Sequence, residues 1–442
     1  MRRVLFRKHQ KAISVGNNTG LPSSELHRPA PDEHLDKTLG YLLHHALETV
    51  PFHQRRRKQL LHSSSLPINE WLQCFPLIDR QTLRAVGPDM ISSARTGSEL
   101  AATSGSTGPS IYWARDPAAR QARNTAIEHL HQLAAPGTVW RKSAFLVPPF
   151  PDARSRALAH SAQRGPGKKQ RLFKKQKIFE TSSDNLASVL SRRQPDVLIG
   201  APRSLLAAAR ALNRHPPAHA QLSPSAFLSI DEPLLPPVQH TLANLVEGPV
   251  IDIYAMRETA PPIAFCLPGC SNFHADGDFT HVEILNKQQT KCAPGTHGEI
   301  VITDLTNFTA PLIRYRTGDL ALASSSDCTC GLALPTPIQQ IKGRTTDTIL
   351  LPDNTTRQIA PLVWNLAETT DCIPSFQQTH PGKLHLTLFP LFSTSSRKRH
   401  TAAAQEILDH HLSPHIQYDI SFSPLETYLF HSPEKFKFLK TH

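Results

Sequence analysis

The sequence predicts an α/β protein: a large multilayer α/β N-terminal domain with a small β-rich unit, followed by a small α+β C-terminal domain. In the first part, short apolar strands alternate with helical stretches, as where DVLIG (196–200) precedes RSLLAAARALN (203–213). Such alternation is typical of layered α/β domains, whose active groups lie at strand ends. From 279 to 341 the runs become shorter and more β-rich, which predicts a small antiparallel sheet or barrel.

The chain before this alternation is predicted to be mainly helical. Apolar residues at helical spacing run through 34–60, with a helix stop at Val50-Pro51. Asp79 can cap a short helix, and the alanine-rich stretch 117–135 has a helical pattern. The residues IYW (111–113) favour a strand just before that second helix.

A boundary is predicted at 343–348, within the sequence GRTTDTI. We therefore assign 1–342 to the large domain, including the β-rich unit 279–341, and 349–442 to the small one. The small domain is predicted to mix strands (TILL, HLTLFPLF as two strands, YDISFS) with the helices LVWNLAET and AAAQEILDHHL. It ends in the lysine-rich run SPEKFKFLKTH.

Composition indicates a globular chain with an excess of basic residues. Its 442 residues include 48 Lys and Arg against 36 Asp and Glu, a formal net charge of +12, which suits an acidic partner. The densest basic stretch, GKKQRLFKKQK (167–177), lacks the features of a nucleic-acid reader, and we interpret it as a solvated basic face. The sequence has neither the roughly 18 apolar residues of a membrane helix nor an apolar signal-peptide core. We expect a cytoplasmic protein with no membrane partner.

The hexapeptide TSGSTG at 103–108 is a candidate phosphate-binding turn. Glycine lets backbone N–H groups approach an anion closely, and hydroxyl side chains add donors. Short Gly/Ser/Thr runs are also common surface turns, so this stretch alone does not decide the matter. Because no lysine follows it, the Walker pattern of kinases and GTPases is excluded. A phosphate-binding lysine must come from elsewhere in the chain.

Four separated motifs, in this order and spacing, carry a family resemblance: TSGSTG (103–108), DIYAMRET (252–259), LIRYRTGDL (312–320) and IKGRTTDTI (341–349). Together they resemble the adenylate-forming superfamily of acyl-CoA synthetases and adenylation domains. More narrowly, they are similar to its phenylacetate-CoA ligase branch. Further segments such as FPLIDRQTLR, SIDEPLLPP, CTCG and EKFKF extend the resemblance over roughly residues 40–440.

The resemblance implies an ATP site. Its β- and γ-phosphates would be held by the hexapeptide, that is by Thr103, Ser104, Gly105, Ser106, Thr107 and Gly108. Glu258 matches an acidic residue that helps hold Mg²⁺, and Asp319 matches the ribose-binding carboxylate. The segment that borders the adenine in relatives corresponds to Asp231, Glu232 and Pro233. Tyr254 would cover the base as a flat partner, or would be an ordinary core residue.

The resemblance also implies a small domain that swings during the reaction. Arg344 matches an arginine near the ribose and phosphates, and Asp347 falls at the hinge, 343–348. The missing lysine corresponds to one near the C-terminus that reaches the α-phosphate and the substrate carboxylate. Lys435 is the best match, with Lys437 and Lys440 as neighbours that complicate the assignment. The alternative is a merely basic tail.

The cysteines suggest thiols and a metal site, because seven of them cannot all pair in disulfides. Cys328, Cys330 and His274, with either Cys266 or Cys270, would give three thiolates and an imidazole. This is a closed tetrahedral set for a structural Zn²⁺. We choose Cys266 as the fourth ligand by position. Reduced, buried thiols are the alternative.

The function implied is ATP- and Mg²⁺-dependent activation of a small carboxylic acid through an acyl-adenylate, followed by transfer to a thiol. CoA or the phosphopantetheine arm of an acyl carrier protein would accept the acyl group, and the branch suggests an aryl acid. Two departures from the family favour alternatives: Arg257 replaces a small hydroxyl residue, and LLPDNTTRQIAP follows the hinge in place of the usual run. These alternatives are a nucleotide-binding protein without turnover and an adenylation-only enzyme. A nucleic-acid partner would rest on charge alone, and we do not expect one.

Overall fold

The computed structural model describes most of the chain. The described residues are 31–94, 99–102, 112–137, 142–147, 174–179, 183–214, 224–392, 396–412, 416–430 and 438–441. They form layered α/β structure with a separate antiparallel sheet and a C-terminal α+β unit, which confirms the predicted fold class. None of the described helices is long and apolar enough to cross a membrane.

Helices form the first part of the described chain. They are α1 (Pro31–Thr49), α2 (Pro51–Gln54), α3 (Arg57–His62), α4 (Ile68–Gln73) and α5 (Arg80–Val86). Helix α1 ends before Pro51, as predicted, and the proline starts α2, where its lack of an N–H costs nothing. The predicted cap of α5 is also confirmed, because Asp79 Oδ1 accepts a hydrogen bond from the Thr82 backbone N–H at 2.7 Å.

A two-stranded antiparallel hairpin follows, made of β1 (Glu99–Ala102) and β2 (Tyr112–Arg115). Ala102 pairs with Tyr112, so residues 103–111, which contain TSGSTG, connect two paired strands. Helix α6 (Pro117–Ala134) comes next, with Asp116 as its cap. The predicted strand and helix after the hexapeptide are therefore confirmed, and an additional strand, β1, precedes it.

A six-stranded sheet with helices forms the centre of the protein. Its elements are β3 (Lys142–Val147), β4 (Lys174–Phe179), α7 (Ser183–Arg193), β5 (Val197–Gly200), α8 (Pro202–Arg214), β6 (Ala226–Ser229), α9 (Pro236–Leu245), β7 (Val250–Tyr254) and β8 (Ala264–Cys266). The strand order is β4-β3-β5-β6-β7-β8, and only β8 is antiparallel to its neighbour. One face packs on an apolar cluster that includes Leu190 and Leu205, and the other on a cluster that includes Leu130 of α6.

The predicted β-rich unit is a four-stranded antiparallel sheet. Its strands are β9 (Thr280–Leu285), β10 (His297–Asp304), β11 (Tyr315–Ala323) and β12 (Ile338–Arg344). Their order is β12-β11-β10-β9, and one end of β11 lies close to the N-terminal helices through a bridge between Ile78 and Tyr315. Because of this bridge, the sheet and the helices before α5 share one core.

The remaining elements form the C-terminal unit, which we define as residues 349–441. In chain order they are β13 (Thr348–Leu350), which begins at the last residue of the predicted hinge, β14 (Thr356–Gln358), α10 (Ala360–Thr370), β15 (Cys372–His380), β16 (Lys383–Pro390), α11 (Arg397–Leu412), β17 (Gln417–Phe422), α12 (Leu425–Phe430) and β18 (Leu439–Thr441). The sheet order is β17-β16-β15-β18. HLTLFPLF forms one strand, β16, rather than the predicted two. Its partner β15 was not predicted, since it contains Pro374, a residue that usually argues against an inner strand.

The C-terminal unit packs against α8 and α9. Leu212 of α8, Trp364 of α10 and Leu429 of α12 belong to one continuous buried cluster with the central sheet. Helix α8 therefore lies enclosed between the six-stranded sheet and the C-terminal unit, which explains why most of its residues are buried.

Candidate active site

Three residues from distant motifs meet at one end of the β-rich sheet. Tyr254 ends β7, Asp319 lies in β11, and Arg344 ends β12 directly opposite Asp319 in the strand register. The Tyr254 hydroxyl donates a hydrogen bond to Asp319 Oδ2 at 2.7 Å, and Arg344 Nε lies 3.8 Å from Asp319 Oδ1. The fold thus brings together side chains that are 25 to 90 residues apart in sequence, as the separations of positions 254, 319 and 344 show.

The Asp319 carboxylate is held in place by its neighbours. Loss of solvent around Tyr254, and then the charge of Asp319, raise the pKa of Tyr254, so the phenol stays protonated and donates. The hydroxyl of Tyr254 therefore orients Asp319, a role that the sequence did not predict for it.

Glu258 is buried and lies close enough to Tyr315, at the start of β11, to act on its charge. The residue is 6% exposed, and its charge raises the pKa of Tyr315, second to the effect of burial. Arg115 of β2 donates from Nη2 to the Thr259 carbonyl at 2.9 Å, and its Nε is buried without a hydrogen-bond partner among the described residues. The sequence did not point to Arg115, since a lone arginine at the end of a strand carries no signal.

The 231–233 turn follows β6 and has an unusual backbone. Asp231 adopts a left-handed conformation with φ of +73°, which a non-glycine residue holds only with support from its surroundings. Glu232 is 8% exposed, and its carboxylate faces Arg203 of α8, with 3.6 Å between Oε1 and Nε. The side chain of Glu232 is thus occupied inside the protein, whereas Asp231 is exposed.

The predicted hinge, 343–348, is bonded to structure on both sides. The Thr345 N–H donates to the Gly318 carbonyl at 2.8 Å, next to Asp319. On the other side, Gln358 Nε2 donates to the Thr345 carbonyl at 2.7 Å, and the Ile359 N–H donates to the Asp347 carbonyl at 3.0 Å. Asp347 therefore lies between the hydrogen bonds to the β-rich sheet and those to the C-terminal unit.

Two predicted parts of the site lie outside the described residues: the hexapeptide Thr103–Gly108 and Lys435. Their described neighbours are the paired ends of β1 and β2, and strand β18, which pairs in parallel with β15.

The structure brings together a Cys/His cluster, with one correction to the predicted ligand set. The thiols of Cys270, Cys328 and Cys330 and the imidazole of His274 place their ligand atoms within 4.8 Å of one another. Cys266, predicted as the fourth ligand, is not part of this group; its Sγ lies 3.6 Å from the Cys270 carbonyl. Strand β8 places Cys266 opposite Asp252, whereas the turn after β8 brings Cys270 back towards Cys328.

The chemistry of the cluster suits a soft cation. Burial opposes ionisation of the Cys328 thiol, but hydrogen bonds from the backbone N–H groups of Cys330 and Ser271 outweigh it and lower its pKa to about 5. His274 is fully buried, its Nε2 lies 3.3 Å from Cys330 Sγ, and its Nδ1 has no hydrogen-bond partner among the described residues. Three thiols and one imidazole at this spacing match a structural zinc set.

Solved structures define the class of fold. No family model matches the chain, and no curated protein sequence matches it. The chain is similar to 2-hydroxyisobutyryl-CoA ligase in the postadenylation state in complex with R3-HIB-AMP. The TM-score is 0.71 at 17% identity, over 96% of this chain and 94% of that chain. A second postadenylation structure of that ligase, with 2-HIB-AMP, gives 0.68 at 18% identity, over 92% and 90% of the two chains. This protein therefore has the fold of the adenylate-forming enzymes.

The same ligase in its thioesterification state, with 2-HIB-AMP and CoA, is less similar. Its TM-score is 0.58, although identity and coverage are the same as for the first structure, 17%, 96% and 94%.

Proposed function

We propose that this protein activates a carboxylic acid with ATP through an acyl-adenylate and then transfers the acyl group to a thiol. The observation that carries the proposal is the meeting of Tyr254, Asp319 and Arg344 within an adenylate-forming fold. In the first step a carboxylate oxygen attacks the α-phosphorus and pyrophosphate leaves. The main task of the protein is to hold these like charges in line and to shield them from each other.

Each residue at the site has a role in this proposal. Asp319 accepts hydrogen bonds from the ribose hydroxyls, and Arg344 lies beside it to interact with the ribose and phosphates. The backbone of the 231–233 turn borders the adenine. TSGSTG holds the β- and γ-phosphates, and Lys435 neutralises charge between the α-phosphate and the substrate carboxylate. Asp347 is the hinge of the small domain.

Magnesium is the proposed cation at Glu258. A carboxylate oxygen is the ligand type that Mg²⁺ prefers, and the ion would shield the triphosphate charge there. Arg115 and Arg257 lie near this carboxylate and also bring positive charge. These arginines favour a second candidate function, a nucleotide-binding protein without turnover, because fixed cations compete with Mg²⁺ for the same place.

We further propose that the acid is aryl, as in the phenylacetate-CoA ligase branch, and that the protein acts in the cytoplasm. CoA or the phosphopantetheine of an acyl carrier protein is the acceptor, and both are acidic partners suited to a chain of charge +12. A structural Zn²⁺ at Cys270, His274, Cys328 and Cys330 completes the proposal.

Pyrophosphate exchange into ATP, measured over a panel of aryl and fatty acids, tests the activation step. We expect exchange with at least one acid, and we expect Lys435→Ala to abolish it while ATP binding stays nearly intact. Lys440→Ala is the matched control, because Lys440 lies in β18 near the same tail, and its exchange is expected to match the wild type.

Other outcomes lead to other conclusions. If the protein binds ATP but shows no pyrophosphate exchange with any acid, it is a nucleotide-binding protein without turnover and not an enzyme. Adenylate formation without thioester, with either CoA or a carrier protein, would identify an adenylation-only enzyme. Normal exchange in Lys435→Ala would remove that lysine from the mechanism.

A further inference from the structure

Three buried polar side chains come from α8, from the turn after β6 and from α12 of the C-terminal unit, and the apolar residues beside all three belong to one core. Arg203 is in the first turn of α8 and its side chain is fully buried, whereas Glu232 lies in the turn after β6 and its side chain is 4% exposed. The residue Tyr428 of α12 is 4% exposed. Burial raises the pKa of Tyr428, Glu232 raises it further and Arg203 lowers it, so the phenol lies in the field of both charges.

This cluster differs from the other ion pair at the same interface. Arg214 of α8 and Glu426 of α12 are 3.1 Å apart, but their side chains are 50% and 47% exposed, so water screens the pair. The Arg203–Glu232 pair is buried, and the apolar cluster beside it, which includes Leu205 and Leu234, also contains Leu429 of α12. A buried pair stays favourable only while both charges keep their partners and their dry surroundings. Its state therefore depends on whether the C-terminal unit is docked.

Glu232 of this pair lies in the 231–233 turn, which is proposed to border the nucleotide and whose backbone is strained. Glu232 is the immediate neighbour of Asp231, whose φ of +73° must be held by its surroundings. The contact of the Glu232 carboxylate with Arg203 of α8 therefore helps to fix the backbone conformation of the 231–233 turn. A loosened pair would let the 231–233 backbone relax.

We propose that Arg203, Glu232 and Tyr428 are positioning residues that couple docking of the C-terminal unit on α8 to the conformation of the 231–233 turn. Insofar as that turn borders a nucleotide, the inference rests on the proposed function. Nucleotide binding and docking then favour each other by the same factor, as linkage requires. This coupling does not use the contacts of the proposed hinge, because Glu232 lies about 115 residues before Asp347 in the sequence.

The test uses Tyr428→Phe, which removes one hydroxyl and keeps the ring that packs near Phe389, at 5.8 Å between centroids. Hydrogen exchange is measured on the ligand-free, full-length chain. We expect amides in both α12 and residues 229–233 to exchange several-fold faster than in the wild type. Arg214→Met, at the exposed pair on the same interface, is the control and should leave residues 229–233 unchanged.

A second variant and a second readout separate the possible failures. Glu232→Gln removes the charge at nearly constant size and should give the same exchange pattern, together with a several-fold loss of ATP affinity in calorimetry. Faster exchange in α12 with an unchanged 229–233 turn, in both variants, would overturn the coupling. If the wild type binds no ATP, the proposed function fails, but the exchange data still decide whether docking and the turn are coupled.

Discussion

At the scale of a single residue, Asp319 is held on several sides. Tyr254 donates to one oxygen at 2.7 Å, Arg344 lies 3.8 Å from the other, and the Asp319 N–H donates to Thr317 Oγ1 at 3.1 Å. In the proposed function, this carboxylate would need little reorganisation to accept hydrogen bonds from the ribose hydroxyls. Such preorganisation lowers the entropy cost of binding.

Asp319→Asn is expected to weaken ATP binding strongly. Hydrogen bonds to a charged group contribute about 1.5–3 kcal/mol, so the KM for ATP should rise roughly tenfold to a hundredfold in pyrophosphate exchange. Tyr254→Phe leaves the charge and removes only the orienting hydroxyl, so its effect should be smaller. An unchanged KM in Asp319→Asn would show that the ribose binds elsewhere.

The Cys/His cluster acts at the scale of elements, since it joins the segment after β8 to the loop before β12. The two segments also pair through a bridge between Phe273 and Ile338, and Asn272 Nδ2 donates to the Ser326 carbonyl at 2.6 Å. These contacts place β8, at the edge of the central sheet, beside the strand that leads to Arg344. A cation at the cluster would stabilise this junction.

Zinc content and thermal stability test the cluster. Elemental analysis after exhaustive dialysis should find zinc in the wild type, and Cys328→Ser should lose it and melt at a lower temperature. Cys74→Ser, at an exposed cysteine, is the matched control and should change neither quantity. Cys266→Ser also distinguishes the two ligand sets, because only Cys270 lies in the observed group. A zinc-free wild type would contradict the proposal.

At the scale of the whole molecule, the contact between the C-terminal unit and α8 is unusually apolar for two parts that are proposed to move. Interfaces between domains of one chain are commonly rather polar, which permits motion. Here one buried cluster runs from the central sheet through α8 to α12. The docked arrangement should therefore dominate before substrates bind. To move to another position, the C-terminal unit must expose this apolar surface to water or bury it against another part of the protein.

Leu429→Ala tests whether this core is shared. Truncating a buried leucine costs about 2–5 kcal/mol, and calorimetry should show one transition that moves as a whole to lower temperature. Phe392→Ala, in the same unit but 49% exposed, should have little effect. Two separate transitions, with only one shifted, would show that the C-terminal unit unfolds on its own.

Much of the fold could be predicted because its causes are local. Apolar spacing located most helices and strands, Asp79 marked the start of α5, and Pro51 marked the end of α1. The strand β15 and the short helix α12 were missed, since Pro374 weakens the strand pattern and six residues are too few for a helical period.

The sequence by itself indicated the fold class, the β-rich sheet and the motifs that meet at Asp319, because these depend on local patterns and on the spacing of motifs along the chain. Only the tertiary structure decided that Cys270 rather than Cys266 lies with His274, Cys328 and Cys330, that Tyr254 orients a carboxylate, and that the buried Arg203–Glu232 pair adjoins the apolar core that contains Tyr428. Those facts depend on turns and on packing between residues up to about 225 positions apart, as positions 203 and 428 show. Local sequence patterns do not encode these long-range contacts, because the contacts form only when apolar surfaces pack together in the folded chain.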